Sequence, residues 1–134
     1  MKIVAFTGES GTGKTTAIRQ LIEHFVRAGK RVGAIKHTHH ELNEENRGDT
    51  ASFRFAGANP VILAGDREAV VFSDKAPRRI RYDDARDLLD EFATDIVLIE
   101  GFKSLTIWPR IELSKVKHQS TQELLAIVDR IWRP

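Results

Sequence analysis

At 134 residues with no cysteine, the chain is long enough to enclose one hydrophobic core and cannot build a disulfide framework or a thiolate metal site. Its hydrophobic share of 41% against 30% charged residues is that of a globular protein, and a formal net charge of +2 argues against a protein dedicated to coating nucleic acid. The apolar run after Met1 is too short for a signal peptide or a membrane span, so the expectation is one domain over residues 1–134, located in the cytoplasm and away from membranes.

Residues 2–7, KIVAFT, read as a fully buried strand stopped by Gly8. From Lys14 to about Ala28, the residues Ala17, Ile18, Leu21, Ile22, Phe25 and Val26 recur at helical spacing, and Gly29 is placed as the helix stop. RVGAIK, residues 31–36, reads as a second strand. Strand, glycine loop, helix and strand form a βαβ unit, which requires parallel strands and a right-handed crossover. The polar stretch HTHHELNEENRGDT reads as a mobile loop. A short helix is expected from Asp49 to Ala56, with Asp49 or Thr50 near its N-cap and Gly57 ending it.

NPVILAG and EAVVFS read as two strands joined by a Gly-Asp turn, a hairpin. Arg78, Arg79 and Arg81 read as a solvated face. YDDARDLLDEFA reads as an amphipathic helix with Ala85, Leu88, Leu89 and Phe92 on one side, and DIVLIEG as a buried strand. RIELS and LLAIVD read as two further strands. In FKSLTIWPRIEL, the residues Phe102, Leu105, Ile107 and Trp108 are candidates for an exposed dimer surface, with core packing the competing reading for Trp108. The pattern is α/β: a mostly parallel sheet flanked by helices, with a small β-hairpin insertion.

Gly8-Glu9-Ser10-Gly11-Thr12-Gly13-Lys14-Thr15 satisfies G-x-x-x-x-G-K-[ST] in full, between a buried strand and a helix. Its glycines let consecutive N–H groups converge on phosphate oxygens, and the helix starting at Lys14 adds its positive dipole end. Lys14 is expected to neutralise the β- and γ-phosphates, and the Thr15 hydroxyl to ligate Mg²⁺. Thr16 completes the phosphate-binding segment.

Such a loop needs an acid on the metal side, and Asp95 and Glu100 compete for the role. They are five residues apart, roughly 16 Å along a strand. Ligands of an open α/β sheet gather at the carboxyl ends of strands, so Glu100 is the expected Mg²⁺-side acid and Asp95 a strand-start or capping residue. Lys36 ends the second strand at the same edge, either as a solvated strand end or as a second phosphate contact. Asp49, beyond the polar loop, is expected to reach the metal by loop closure.

His37, His39 and His40, with Glu41, Glu44 and Glu45 following, leave three readings open: a substrate or partner contact, a solvated loop, or a transition-metal site.

FTGESGTGKTT, VGAIKHTHH, GDTASFRFAGA, DIVLIEGFK and PRIELSK together resemble the MobB family of molybdopterin-guanine dinucleotide biosynthesis adapter proteins, a branch of the P-loop NTPases. The resemblance runs from residue 2 to about Lys115. It implies GTP as ligand with Mg²⁺, weak GTPase activity and a homodimer. It also implies partnership with the molybdenum cofactor guanylyltransferase and other molybdopterin-handling proteins. The chain also looks like the P-loop class that contains dethiobiotin synthetase, in which a strand-end lysine, a loop aspartate and a strand-end glutamate surround metal and phosphates. Those roles fall on Lys36, Asp49 and Glu100.

No N-K-x-D signature for guanine is present; Asp129, at the end of LLAIVD, is the one strand-end acid considered for a base edge. No residue stands out as a water-orienting glutamine or a cis arginine finger, which suits slow hydrolysis, with Arg47 and Arg54 available in a partner complex or across a dimer. The rival readings are a small P-loop kinase passing the γ-phosphoryl group to an acceptor held by the histidine loop, and a metallochaperone-like NTPase whose histidines bind metal.

Overall fold

A computed structural model describes residues 1–9, 11–113 and 120–134. Seven strands form one sheet in the order β5-β4-β3-β2-β6-β1-β7. They are β1 (Lys2–Thr7), β2 (Val32–His37), β3 (Val61–Ala64), β4 (Glu68–Phe72), β5 (Arg78–Arg81), β6 (Ile96–Glu100) and β7 (Arg110–Glu112). The five strands β3, β2, β6, β1 and β7 run parallel, and β4 and β5 are added antiparallel at one edge. The helices are α1 (Lys14–Arg27), α2 (Gly48–Ala56) and α3 (Thr121–Trp132), and a 3₁₀ segment spans Ala85–Glu91.

The apolar strands are buried on both faces, and side-chain alternation divides them between two cores. Val4 and Phe6 of β1, Val32 and Ala34 of β2, and Ile96 and Leu98 of β6 pack beneath the helices with Ile18, Leu21, Ile22, Phe53, Leu124 and Val128. Ala5, Ile35, Val97 and Ile99 point the other way, onto Tyr82, Leu88, Phe92, Phe102 and Trp108. Each fully buried Ile or Leu contributes about 1.5–3 kcal/mol of hydrophobic stabilisation.

The βαβ unit, the hairpin and Gly29 as the residue past the α1 C-cap stand as expected. Two expectations are corrected. LLAIVD is helical, not a strand, because its apolar positions Leu124 and Val128 are four apart and face α1 as one stripe. The amphipathic helix after Tyr82 is a 3₁₀ segment capped by Asp84, whose carboxylate accepts from the Arg86 amide. Arg78, Arg79 and Arg81 are exposed, as the solvated-face reading expected, and they lie on β5, a charged edge strand of the kind that discourages further pairing. At α2 the N-cap is Arg47, with Asp49 in the first turn close to it and Gly57 at the other end, as expected.

The proposed exposed surface near Trp108 is also revised. Phe102 and Trp108 are buried against each other, Leu105 is half-buried, and Ile107 alone of the four is exposed. Ser10 of the glycine loop and Ser114 of RIELS lie outside the described residues.

Candidate nucleotide-phosphate site

β1 runs into the glycine loop, whose Gly8, Gly11 and Gly13 all have positive φ. Gly13 (φ 87) is the N-cap of α1 and carries no side-chain cap. A Cβ at Gly11 or Gly13 would meet nothing within 4 Å, so these positions are glycine for backbone conformation, not for crowding. The loop closes on itself through the Thr12 hydroxyl, which donates to the Glu9 carbonyl at 2.7 Å, and the Lys14 ammonium, which donates to the Gly8 carbonyl at 2.5 Å. An uncapped helix N-terminus with a lysine folded over the loop is a cradle for an anion.

The neighbouring strand β6 delivers Glu100. Its register pairs Phe6 with Glu100 and Glu100 with Lys36, so the ends of β1, β6 and β2 coincide. Glu100 shares the parity of Leu98 and points to the α1 side, where both its oxygens accept from the Thr15 hydroxyl at 3.3 Å. Lys36 donates to it at 2.9 Å and pairs with Asp49 at 2.8 Å. Glu100 is 4% exposed, Lys36 24% and Asp49 39%. Asp49 therefore stands at the cluster already, without further closure of the loop before it.

Gly11, Gly13, Lys14, Thr15, Thr16, Lys36, Asp49 and Glu100 line one cleft of about 300 Å³. Burial lowers the affinity of Lys14 for its proton, opposed by the charge of Glu100 and reinforced by Lys103 and Lys36. Burial also pulls Lys36 down, but its hydrogen bonds to Asp49 and Glu100 outweigh that and leave it raised. The donor set fits a magnesium triphosphate: oxygen ligands from Thr15, Asp49 and Glu100 for a hard cation, and amides and lysines for phosphate.

Other candidates fall elsewhere. Asp95 precedes β6 at the opposite edge, where it accepts from the Arg31 amide at 2.8 Å as a capping residue. Asp129, considered for a base edge, lies in α3 beside Arg133 and lines a larger cleft of about 720 Å³ with Asp95 and Lys2. That cleft sits at the N-terminal ends of the strands, so Asp129 is remote from the loop. Arg54 is spent on Asp74 and the Ala58 carbonyl, and Arg47 pairs with Glu45.

Beyond Glu100 the chain turns through two left-handed residues, Gly101 (φ 104) and Phe102 (φ 55). A Cβ at Gly101 would come within 2.9 Å of His37 Cβ. The turn lays the Phe102 ring on His37, stacked at 4.2 Å. His37 follows Lys36 and therefore points to the opposite face, where its Nε2 meets Asp66 at 3.2 Å. Sequence reading missed Asp66; its signal was the Gly-Asp turn, which becomes relevant once β3 is known to lie beside β2.

A profile of the family described as "Molybdopterin guanine dinucleotide synthesis protein B", MobB, matches residues 3–131. The molybdopterin-guanine dinucleotide biosynthesis adapter protein of Haemophilus influenzae is 36% identical over 114 residues, covering 84% of this chain and 63% of that protein. The adapter protein of Escherichia coli is 36% identical over 103 residues, covering 75% of this chain and 59% of that one. The chain thus spans about three-fifths of the length of these relatives. The crystal structure of Bacillus subtilis MobB superposes with a TM-score of 0.50 at 24% identity, over 94% of this chain and 73% of that chain, a likeness of fold.

Proposed function

The chain belongs to the MobB family, and from that premise we propose that it is a GTP-binding adapter of molybdenum cofactor biosynthesis, assisting conversion of molybdopterin to molybdopterin guanine dinucleotide. The observation that carries the nucleotide reading is the meeting of Thr15, Lys36, Asp49 and Glu100 at the mouth of the glycine loop.

In this reading the loop amides and the α1 N-terminus bind the phosphates, and Lys14 leaves the Gly8 carbonyl to neutralise them. Thr15, Asp49 and Glu100 would hold Mg²⁺, which when bound supplies charge neutralisation across the β- and γ-phosphates. Lys36 bridges Asp49 and Glu100, and in this reading its ammonium would also contact phosphate. The preference for GTP follows from the family premise. Slow hydrolysis suits a cleft lined by Gly11, Gly13, Lys14, Thr15, Thr16, Lys36, Asp49 and Glu100, a set with no arginine finger and no water-orienting glutamine. The partner is a guanylyltransferase that joins GMP to molybdopterin, the working unit a homodimer, the compartment the cytoplasm.

Two measurements test the proposal. Calorimetry with GTP and Mg²⁺ is expected to show saturable binding, with ATP weaker. Reconstituted guanine dinucleotide synthesis is expected to rise when the protein is added to the guanylyltransferase. Absence of both effects overturns it, and rapid turnover dependent on a small acceptor would make the protein a kinase instead.

A further inference from the structure

The strand parity that sends Lys36 toward the glycine loop sends His37 to the other face of the sheet, among groups that phosphate binding does not use. His37 Nε2 lies 3.2 Å from Asp66 Oδ1. The rings of His37 and His39 are 4.8 Å apart at 81°. One ligand atom from each of the three residues lies within 4.8 Å of the others. We propose that His37, His39 and Asp66 form a site for a borderline divalent transition-metal ion of the Zn²⁺ class, distinct from the glycine-loop cation site and independent of the nucleotide reading.

Ligand distances of roughly 2.0–2.2 Å in a tetrahedral zinc site place neighbouring donor atoms about 3.3 Å apart. The His37–Asp66 edge already has that length, and the exposed His39 side chain closes the third corner by rotation. Two imidazoles and a carboxylate favour Zn²⁺, Co²⁺ or Ni²⁺ over Mg²⁺ and Ca²⁺. The fourth position opens into a cleft of about 420 Å³ that includes His39, Asp66 and Arg81.

The platform is held from beneath. The His37 side chain is 11% exposed and its ring is fixed by the stack on Phe102. The Thr38 amide donates to the Ala64 carbonyl at 2.8 Å, tying the end of β2 to β3. Asp66 sits in the β3–β4 turn, where the Gly65 amide donates to the Glu68 carbonyl at 2.8 Å and the Tyr82 hydroxyl donates to the Gly65 carbonyl. Such outer contacts orient metal ligands. The cations around the cleft are matched, Arg67 by Asp83 and Arg81 by Glu68. Glu44 and Glu45, a few residues after the histidines in sequence, pair instead with Arg79 and Arg47, and Asp66 is the carboxylate that the fold brings to His37 and His39.

The test uses tag-free protein titrated with Co²⁺, followed by its visible d–d absorption, and with Zn²⁺ by calorimetry. One ion per chain is expected, with tetrahedral-type Co²⁺ bands that Zn²⁺ abolishes. His39→Ala and Asp66→Asn, both at exposed positions where folding is not at stake, should weaken binding by at least the roughly 10- to 100-fold that loss of an outer-shell partner costs. Lys14→Ala, which disables the glycine loop, should leave the Co²⁺ spectrum intact. Absence of Co²⁺ binding, affinity unchanged in both ligand variants, or loss of the spectrum in Lys14→Ala would each overturn the proposal.

Discussion

Glu100 and Lys36 occupy paired register positions on β6 and β2, and their side chains meet at 2.9 Å. Because the carboxylate is 4% exposed, it has lost nearly all its water and depends on Lys36 and the Thr15 hydroxyl for compensation. Removing one partner of a buried pair costs more than removing both, since the survivor keeps its desolvation penalty. Lys36→Met is therefore expected to destabilise the metal-free protein by about 3 kcal/mol. Lys36→Met with Glu100→Gln should recover most of that loss, since an amide carries no charge. Urea unfolding of the two single variants and the double variant measures the coupling; strictly additive losses would mean that the two groups do not share the energy assigned to them.

Lys14 and Glu100 line the same cleft, and the proposed function separates their effects. Under that proposal Lys14 acts on phosphate directly. Its replacement by Ala should cost about 3 kcal/mol, on the order of 100-fold in Kd for GTP. Glu100→Gln should leave binding measurable but flatten its dependence on Mg²⁺. Calorimetry across a magnesium series checks both, and an equal loss of both properties in each variant counts against the division.

The glycine loop, the βαβ unit and the positions of Lys36 and Glu100 at the sheet's carboxyl edge were legible because each rests on local signals: glycine spacing, apolar runs and strand direction. Asp49 was legible as a candidate but not as a resident, because no local rule says that the loop before α2 already brings it to Lys36. Asp66 could not be assigned. Its relation to His37 exists only through the pairing of β2 with β3, a contact across 29 residues. LLAIVD misled because a six-residue apolar run fits a buried strand as well as a helix, and only packing against α1 decides. Phe102 was misplaced because a loop gives no local sign that it folds back over the sheet, whereas core packing, the competing reading for Trp108, is the one the structure shows.

Tyr82 is the only tyrosine, so its ionisation can be read directly. Burial pushes its hydroxyl up from 10.0 to about 12, with the charge of Asp66 adding to the effect. Between those values the unfolded chain has lost a proton that the folded chain keeps, so stability falls as pH rises. The contribution is complete below pH 10 and gone above about 12, and two pKa units correspond to roughly 2–3 kcal/mol. Phenolate absorbance should show a midpoint near 12 in native protein and near 10 in denaturant. A native midpoint at the denatured value would mean that the hydroxyl is not buried as described. Tyr82→Phe should abolish this part of the alkaline stability loss.

Gly33 lies in β2, three residues before Lys36, and its constraint is crowding. A Cβ there would lie 2.3 Å from Cδ1 and 2.4 Å from Cε1 of Phe92, and 3.4 Å from the Pro60 carbonyl oxygen. Phe92 is 9% exposed and belongs to the core on the face away from the helices, so its ring cannot swing freely into solvent. Gly33→Ala is expected to cost about 1–3 kcal/mol through overpacking, although alanine otherwise suits a strand better than glycine. Phe92→Leu removes ring atoms from the point of collision but leaves a smaller side chain in the core. The Gly33→Ala, Phe92→Leu double variant should therefore be more stable than the sum of the two single losses predicts. Thermal unfolding of the three variants decides it. A Gly33→Ala protein as stable as the parent would show that the ring yields, and that the path of β2 toward Lys36 is set without it.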